Sequence, residues 1–157
     1  MIYFLPCAIC NASIREGHVP NVWKMANVLP LVKVHSPMSV DSDLRPISLT
    51  PTISKHLEAI VCGWILETVA DKLEAKQFGR LKGRSTTHAL VDMIHHWHAA
   101  VNSVSATRVI CVDFAKAFDH NHNLVVEKLK SFGLSEIITD WITSFFRDRQ
   151  QRTATDG

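Results

Sequence analysis

The chain of 157 residues is 46% hydrophobic and 20% charged, with six glycines and six prolines. This composition excludes a wholly disordered chain and a collagen-like repeat, and the length suits one domain with a real core. Seventeen Lys and Arg against fifteen Asp and Glu leave a net charge of +2, which neither demands nor excludes a nucleic-acid partner.

No run reaches the ~18 uncharged, mostly apolar residues of a membrane-spanning helix, so no membrane association is expected. The nearest stretch, MIYFLPCAICNASI at residues 1–14, is broken by Pro6 and Asn11 and lacks the basic start of a signal peptide. Residues 1–19 read as an apolar helical segment ended by Gly17 and Pro20. Cys7, Cys10, Cys62 and Cys111 stand in apolar settings and fit a reduced, intracellular chain, in cytoplasm or nucleus and not secreted.

Met25–Lys33 is rich in strand formers, with Pro30 suggesting an edge strand or a bulge. A polar loop, His35–Asp43, leads to a second strand at Leu44–Leu49, and the two suggest a long hairpin. Thr50-Pro51 starts a helix. Ile53, Leu57, Ile60, Val61, Trp64 and Ile65 then mark one face of that helix to about Val69.

Residues 71–84 form a basic loop. Ser85 or a neighbouring threonine caps the next helix, whose face carries Leu90, Met93, Ile94, Trp97, Val101 and Val104. Arg108–Phe114 is a strand-forming run ending in an aspartate. Asn123–Phe132 is helical and stops at Gly133. Ser135 caps a last helix with Leu134, Ile138, Trp141, Ile142 and Phe145 on its apolar side, and the polar tail begins a strand or turn. Trp64, Trp97 and Trp141 lie in helical register and are expected in the core. The fold class is α/β in the α+β sense. It is helix-rich, with too few strands for its helices, and that points to part of a larger α/β unit.

Three segments could carry chemistry. In VDFAKAFD, Val112–Asp119, a strand would deliver Asp113 at its end, where a carboxylate can hold Mg²⁺ alongside substrate phosphates. The alternative is that Asp113 merely ends the strand and Asp119 caps the next helix. Arg45 in LRPISL and Lys33 on the preceding strand could clamp a triphosphate, or be two solvated charges on an edge hairpin. In QFGRLKGRSTTHAL, Gln77–Leu90, backbone freedom at Gly79 and Gly83 with Arg80, Lys82 and Arg84 suits a nucleic-acid strand tracked by its phosphates. A basic solvated loop capped by Ser85 is the alternative. Cys7 and Cys10 have zinc-ligand spacing without a second pair. His88, His95, His96 and His98 share a helix without a His-Glu-X-X-His arrangement.

In their order, WKMANVLPLVK, LRPISLTPTISKHLEAIV, QFGRLKGRSTTHALVDMI, VDFAKAFDH and KLKSFGLSEIITDWITSFFRDRQQR resemble the reverse transcriptase of non-LTR, LINE-type retrotransposons. They are most similar to the jockey-like animal elements. The resemblance runs from about Val19 to Arg152. It implies a partial right-hand polymerase fold over 20–157, with fingers at 20–104 and the first palm segment at 105–157. Asp113 would be the catalytic, metal-binding aspartate, and the backbone carbonyl of Phe114 a further ligand. Phe118 would be the steric gate. Arg45 and Lys33 would meet the incoming triphosphate, and Gln77, Gly79 and Arg84 the template; Lys82 and Arg80, which stands where the family usually has a smaller or apolar residue, join the template contacts from the reading of the basic loop itself. The implied cofactor is Mg²⁺, with Mn²⁺ as a substitute. The implied partners of the full-length parent are an RNA template, a DNA primer and dNTPs.

The family's Gly-X-Pro-Gln-Gly and aromatic-X-Asp-Asp motifs are absent, since the sequence holds no Pro-Gln-Gly and no adjacent Asp-Asp. The expected function is therefore a fragment of an RNA-directed DNA polymerase, inactive alone, with self-association through exposed palm surface. The alternatives are a non-catalytic nucleic-acid-binding remnant and a degraded transposon product.

Overall fold

Residues 4–103, 106–114 and 119–153 are described in the structure, a computed structural model. The chain divides into two compact units, Met1–Val69 with His120–Gly157, and Ala70–Asp119.

In the first unit, β1 (Met25–Val32) and β2 (Leu44–Leu49) form the expected antiparallel hairpin, with Asn27 opposite Leu49 and Val32 opposite Leu44. The connecting loop contains a short helix, α2 (Val40–Asp43). A third strand, β3 (Gln150–Thr153), runs parallel to β1, with Met25 beside Gln150 and Val28 beside Thr153. The sheet order is β2-β1-β3, which makes β1 central. Pro30 is tolerated there for two reasons. It lies opposite Pro46, and a pair without N–H on either side fits a non-hydrogen-bonded position of the ladder. It also lies beyond Val28, where the described pairing with β3 stops, so this stretch of β1 is an edge in practice.

Helices α1 (Phe4–Arg15), α3 (Thr52–Val69), α5 (His122–Ser131) and α6 (Glu136–Phe146), with the segment between α1 and β1 that carries Val19 and Trp23, supply the core. Its buried centre is Val19, Trp23, Leu57, Val61, Trp141 and Ile142, flanked by Cys10, Ile14, Ile53, Ile65, Val126, Leu129, Ile138 and Phe145. The Trp141 indole N–H donates to Ser13 Oγ at 3.0 Å, and Ser13 Oγ donates to the His18 carbonyl at 2.6 Å. The Val19 N–H donates to Ser144 Oγ at 3.0 Å, so α1 and its exit are bonded to α6 at both points. Gly17 is required at this crossing. Its φ is +60°, and a Cβ there would lie 3.1 Å from Asp140 Cβ.

Caps follow the sequence closely. Ser135 accepts from the Ile138 N–H at the start of α6, and Gly133 takes φ +87° just past the end of α5. The N-cap of α5 is Asn121, whose side chain accepts from the Asn123 N–H at 2.9 Å, and not Asp119.

In the second unit, a 3-10 turn at Ala70–Lys72 leads into a loop and then α4 (Thr86–Asn102), capped by Ser85 as expected. Two expectations fail. Arg108–Phe114 is not a strand: residues 106–114 are irregular and exposed, with Ile110 at 87%. A strand is stable only when its N–H and C=O groups find a neighbouring ladder, and no described strand offers one here. The second failure concerns the tryptophans. Trp141 is buried, but Trp64 and Trp97 are 43% and 37% exposed, and α4 buries no residue fully. Helical periodicity marks which face is apolar, not whether something covers it. Val104 lies outside the described residues.

Candidate nucleic-acid interface

The loop between the 3-10 turn and α4 has a definite shape. Half-buried Phe78 and Leu81 alternate with exposed Arg80 and Lys82. The chain reverses through two left-handed residues, Arg80 at φ 64° and Gly83 at φ 78°. Glycine adopts this region freely, whereas at Arg80 it costs about 1 kcal/mol or more. Gly79, where the sequence placed backbone freedom, does not take positive φ; its neighbour Arg80 does.

Internal bonds hold this turn. Arg84 Nη1 donates to the Ala75 carbonyl and, at 3.0 Å, to the Gln77 carbonyl. The Gln77 side-chain amide donates to the Gly79 carbonyl at 3.3 Å, and the Arg84 N–H to the Leu81 carbonyl at 3.2 Å. A second anchor joins the loop to α4. Lys76 Nζ lies 3.3 Å from the Asp92 carboxylate and 3.2 Å from His96 Nε2. His96 Nδ1 faces the Asp92 carbonyl at 2.7 Å, an arrangement satisfied when Nδ1 carries the proton and Nε2 accepts from Lys76. Among the described residues, neither Arg80 nor Lys82 has a hydrogen bond or an ion pair. The five residues expected along a template, Gln77, Gly79, Arg80, Lys82 and Arg84, are thus brought together on one loop. Of the loop's four cations, Lys76 and Arg84 are engaged internally, and Arg80 and Lys82 remain free for an outside ligand.

The hairpin brings Lys33 and Arg45 together in the first unit. Arg45 pairs with Leu31, so Lys33, two residues on, shares that face of the ladder. Arg45 is exposed and unpaired among the described residues. Lys33 is engaged: its ammonium donates to the Ser42 carbonyl at 3.0 Å, and its N–H to the Asp43 carbonyl at 2.7 Å.

The knot of this loop is Asp43. Its carboxylate accepts from the Met38 and Ser39 N–H groups at 2.9 and 3.0 Å and from the Ser42 hydroxyl at 2.7 Å. The Ser42 hydroxyl and then these backbone donors hold the Asp43 carboxyl below its ordinary value, with a smaller contribution from Lys33. The sign of the pH effect follows. A depressed native pKa stabilises the loop above the unfolded value of about 4 and loses that contribution as pH falls through the native one. Amide exchange at Met38 and Ser39 is therefore expected to be slow at neutral pH and to accelerate, relative to the intrinsic rate, only in acid. The Asp43→Asn protein should lose this pH dependence, and equal protection factors at pH 7 and pH 3 in the parent chain would contradict the assignment.

Asp113 and Phe114 sit on the irregular, exposed stretch of the second unit, with Phe114 at 74% exposure. Phe118 lies outside the described residues. Among the described residues no group of three or more His, Cys, Asp or Glu is placed to hold a metal ion. Cys7 and Cys10 share α1, where burial and then the neighbouring Cys7 push the Cys10 thiol upward, the reverse of what a metal-binding thiolate needs. The described residues have no helix long and apolar enough to cross a membrane.

A profile of the reverse transcriptase (RNA-dependent DNA polymerase) family matches residues 35–157. Among curated proteins, the chain is 29% identical over 125 residues to a probable RNA-directed DNA polymerase from transposon BS of Drosophila melanogaster. That alignment covers 78% of this chain and 14% of the relative. It is also 29% identical over 153 residues to the RNA-directed DNA polymerase from mobile element jockey of Drosophila funebris, covering 95% of this chain and 16% of the relative. The probable polymerase from transposon X-element of Drosophila melanogaster is 27% identical over 113 residues, covering 71% of this chain and 12% of the relative. The chain thus spans only 12–16% of the length of these relatives. With the family profile covering most of its length, the chain belongs to the reverse transcriptase family, among the non-LTR retrotransposon enzymes that its motif series resembles.

Proposed function

We propose that this chain supplies the fingers, residues 20–104, and the first palm segment, residues 105–157, of a retrotransposon RNA-directed DNA polymerase with a right-hand fold. In this reading the loop from Gln77 to Arg84 lies along the RNA template. Arg45, with Lys33 beside it, meets the triphosphate of the incoming dNTP, and Phe118 serves as the steric gate.

The observation that carries the reading is the pair Arg80 and Lys82: exposed cations without internal partners, on an internally bonded loop inside the family-matched segment. Phosphate contacts of this kind give affinity without sequence preference.

Reverse transcriptases work with divalent metal ions, which activate the primer hydroxyl and stabilise the departing pyrophosphate. Asp113 and the Phe114 carbonyl are the matching ligands here, but the described residues do not assemble a metal-binding group around them. One carboxylate does not balance two divalent cations held about 4 Å apart. The described residues therefore do not fit a complete metal centre, and no catalytic step is assigned to this chain.

The test is a pair of assays on the 157-residue chain. With Mg²⁺ or Mn²⁺, dNTPs and a primed RNA template, no primer extension is expected, while the same primed RNA should bind at low salt and dissociate as salt rises. Incorporation that disappears in the Asp113→Asn protein would contradict the first expectation. Absence of binding at low salt would overturn the nucleic-acid reading.

A further inference from the structure

We propose that Arg84 is a positioning residue: it shapes the loop through its backbone and does not grip a phosphate itself. The proposal rests on the nucleic-acid reading above, and divides the work of Arg80, Lys82 and Arg84. Arg84 Nη1 carries two hydrogens, and both have acceptors inside the loop, the carbonyls of Ala75 and Gln77. These carbonyls sit on the incoming limb of the loop, while Arg84 sits on the outgoing limb next to Ser85, the cap of α4. The guanidinium therefore ties the two limbs together at the base of the loop.

What it encloses needs such a tie. Arg80 at the tip holds a left-handed φ that an arginine adopts only when its surroundings impose it. Gly83, immediately before Arg84, turns the chain back with φ +78°, so that the Arg84 side chain faces the incoming limb. Arg80 and Lys82 project from the closed loop without internal partners. The tie thus presets the positions of two free cations, and preorganisation of this kind raises affinity by cutting the ordering cost of binding.

A salt titration separates the two roles, because the slope of log affinity against log salt counts phosphate contacts, while the intercept also reports loop order. The probe is a fluorescein-labelled RNA template annealed to a DNA primer, read by anisotropy on the full chain. Arg84→Ala is expected to weaken binding about tenfold with its salt slope unchanged. Arg84→Lys keeps the charge but loses the planar fork, and is not expected to restore affinity. Gly83→Ala removes no charge, and a Cβ there meets nothing within 4 Å, so it acts only through φ. It should reproduce the Arg84→Ala behaviour. A second readout needs no ligand: chymotrypsin cleavage after Phe78 should accelerate about tenfold in all three variants, with helical circular dichroism retained.

A slope reduced by about 0.7 or more in Arg84→Ala, with affinity restored in Arg84→Lys, would make Arg84 a phosphate contact and overturn the proposal while leaving the nucleic-acid reading intact. Unchanged cleavage after Phe78 would also overturn it. If the parent chain binds no nucleic acid but the variants are cut faster, the brace stands and the nucleic-acid reading fails.

Discussion

Trp141→Ala should be the most damaging single replacement in the first unit. The indole is 3% exposed at the centre of the core, stacks on Phe145 with ring centroids 5.6 Å apart, and donates to Ser13 Oγ. Truncating a buried tryptophan costs about 3–5 kcal/mol, and this loss also strips Ser13 of its only side-chain donor among the described residues. Against a typical total of about 5–15 kcal/mol, this is a large fraction of the unit's stability. Urea denaturation followed by far-ultraviolet circular dichroism measures it. A Trp64→Ala control, at a 43% exposed position, should cost under about 2 kcal/mol. Equal losses at the two tryptophans would contradict the placement of the core on α6.

The largest expected effect on binding comes from replacing Arg80 and Lys82 together by alanine. Each phosphate contact on a single strand contributes about 0.7 to the salt slope, so losing both should flatten it by about 1.4. Near physiological salt that is a weakening of roughly tenfold or more. The matched control is Lys128→Ala with Lys130→Ala in the last turn of α5, where Lys128 already lies 5.8 Å from the centre of the Phe132 ring. That pair should leave the slope almost unchanged. If the two double variants behave alike, the loop is merely solvated surface.

Local signals were legible in the sequence. The Ser85 and Ser135 caps and the Gly133 stop each depend on residues within a few positions of one another, the β1–β2 hairpin joins strands adjacent in the chain, and each stands where the pattern placed it. Long-range pairing was not legible in the same way. Gln150 lies beside Met25 in a parallel pair, and a parallel strand carries no turn signal that names its partner. Trp23 was missed in the core because it stands alone between Pro20 and β1, outside any periodic run. Arg108–Phe114 shows the converse, strong strand propensity without a ladder to join. In the candidate site, the sequence grouped Arg80, Lys82 and Arg84 by charge alone. Only geometry separates the arginine bonded to two carbonyls from the two cations left free, because a guanidinium looks the same in sequence whichever acceptor it meets.

The claim that the Gln77–Arg84 loop is the template track is tested most directly by photocrosslinking. An RNA template carrying 4-thiouridine, annealed to a DNA primer, is irradiated with the full chain, and the adducts are mapped by mass spectrometry. Adducts concentrated between Lys76 and Ser85, reduced by the Arg80→Ala, Lys82→Ala double replacement, are the expected result. Adducts spread equally over α5 and α6, or unaffected by that replacement, would contradict it.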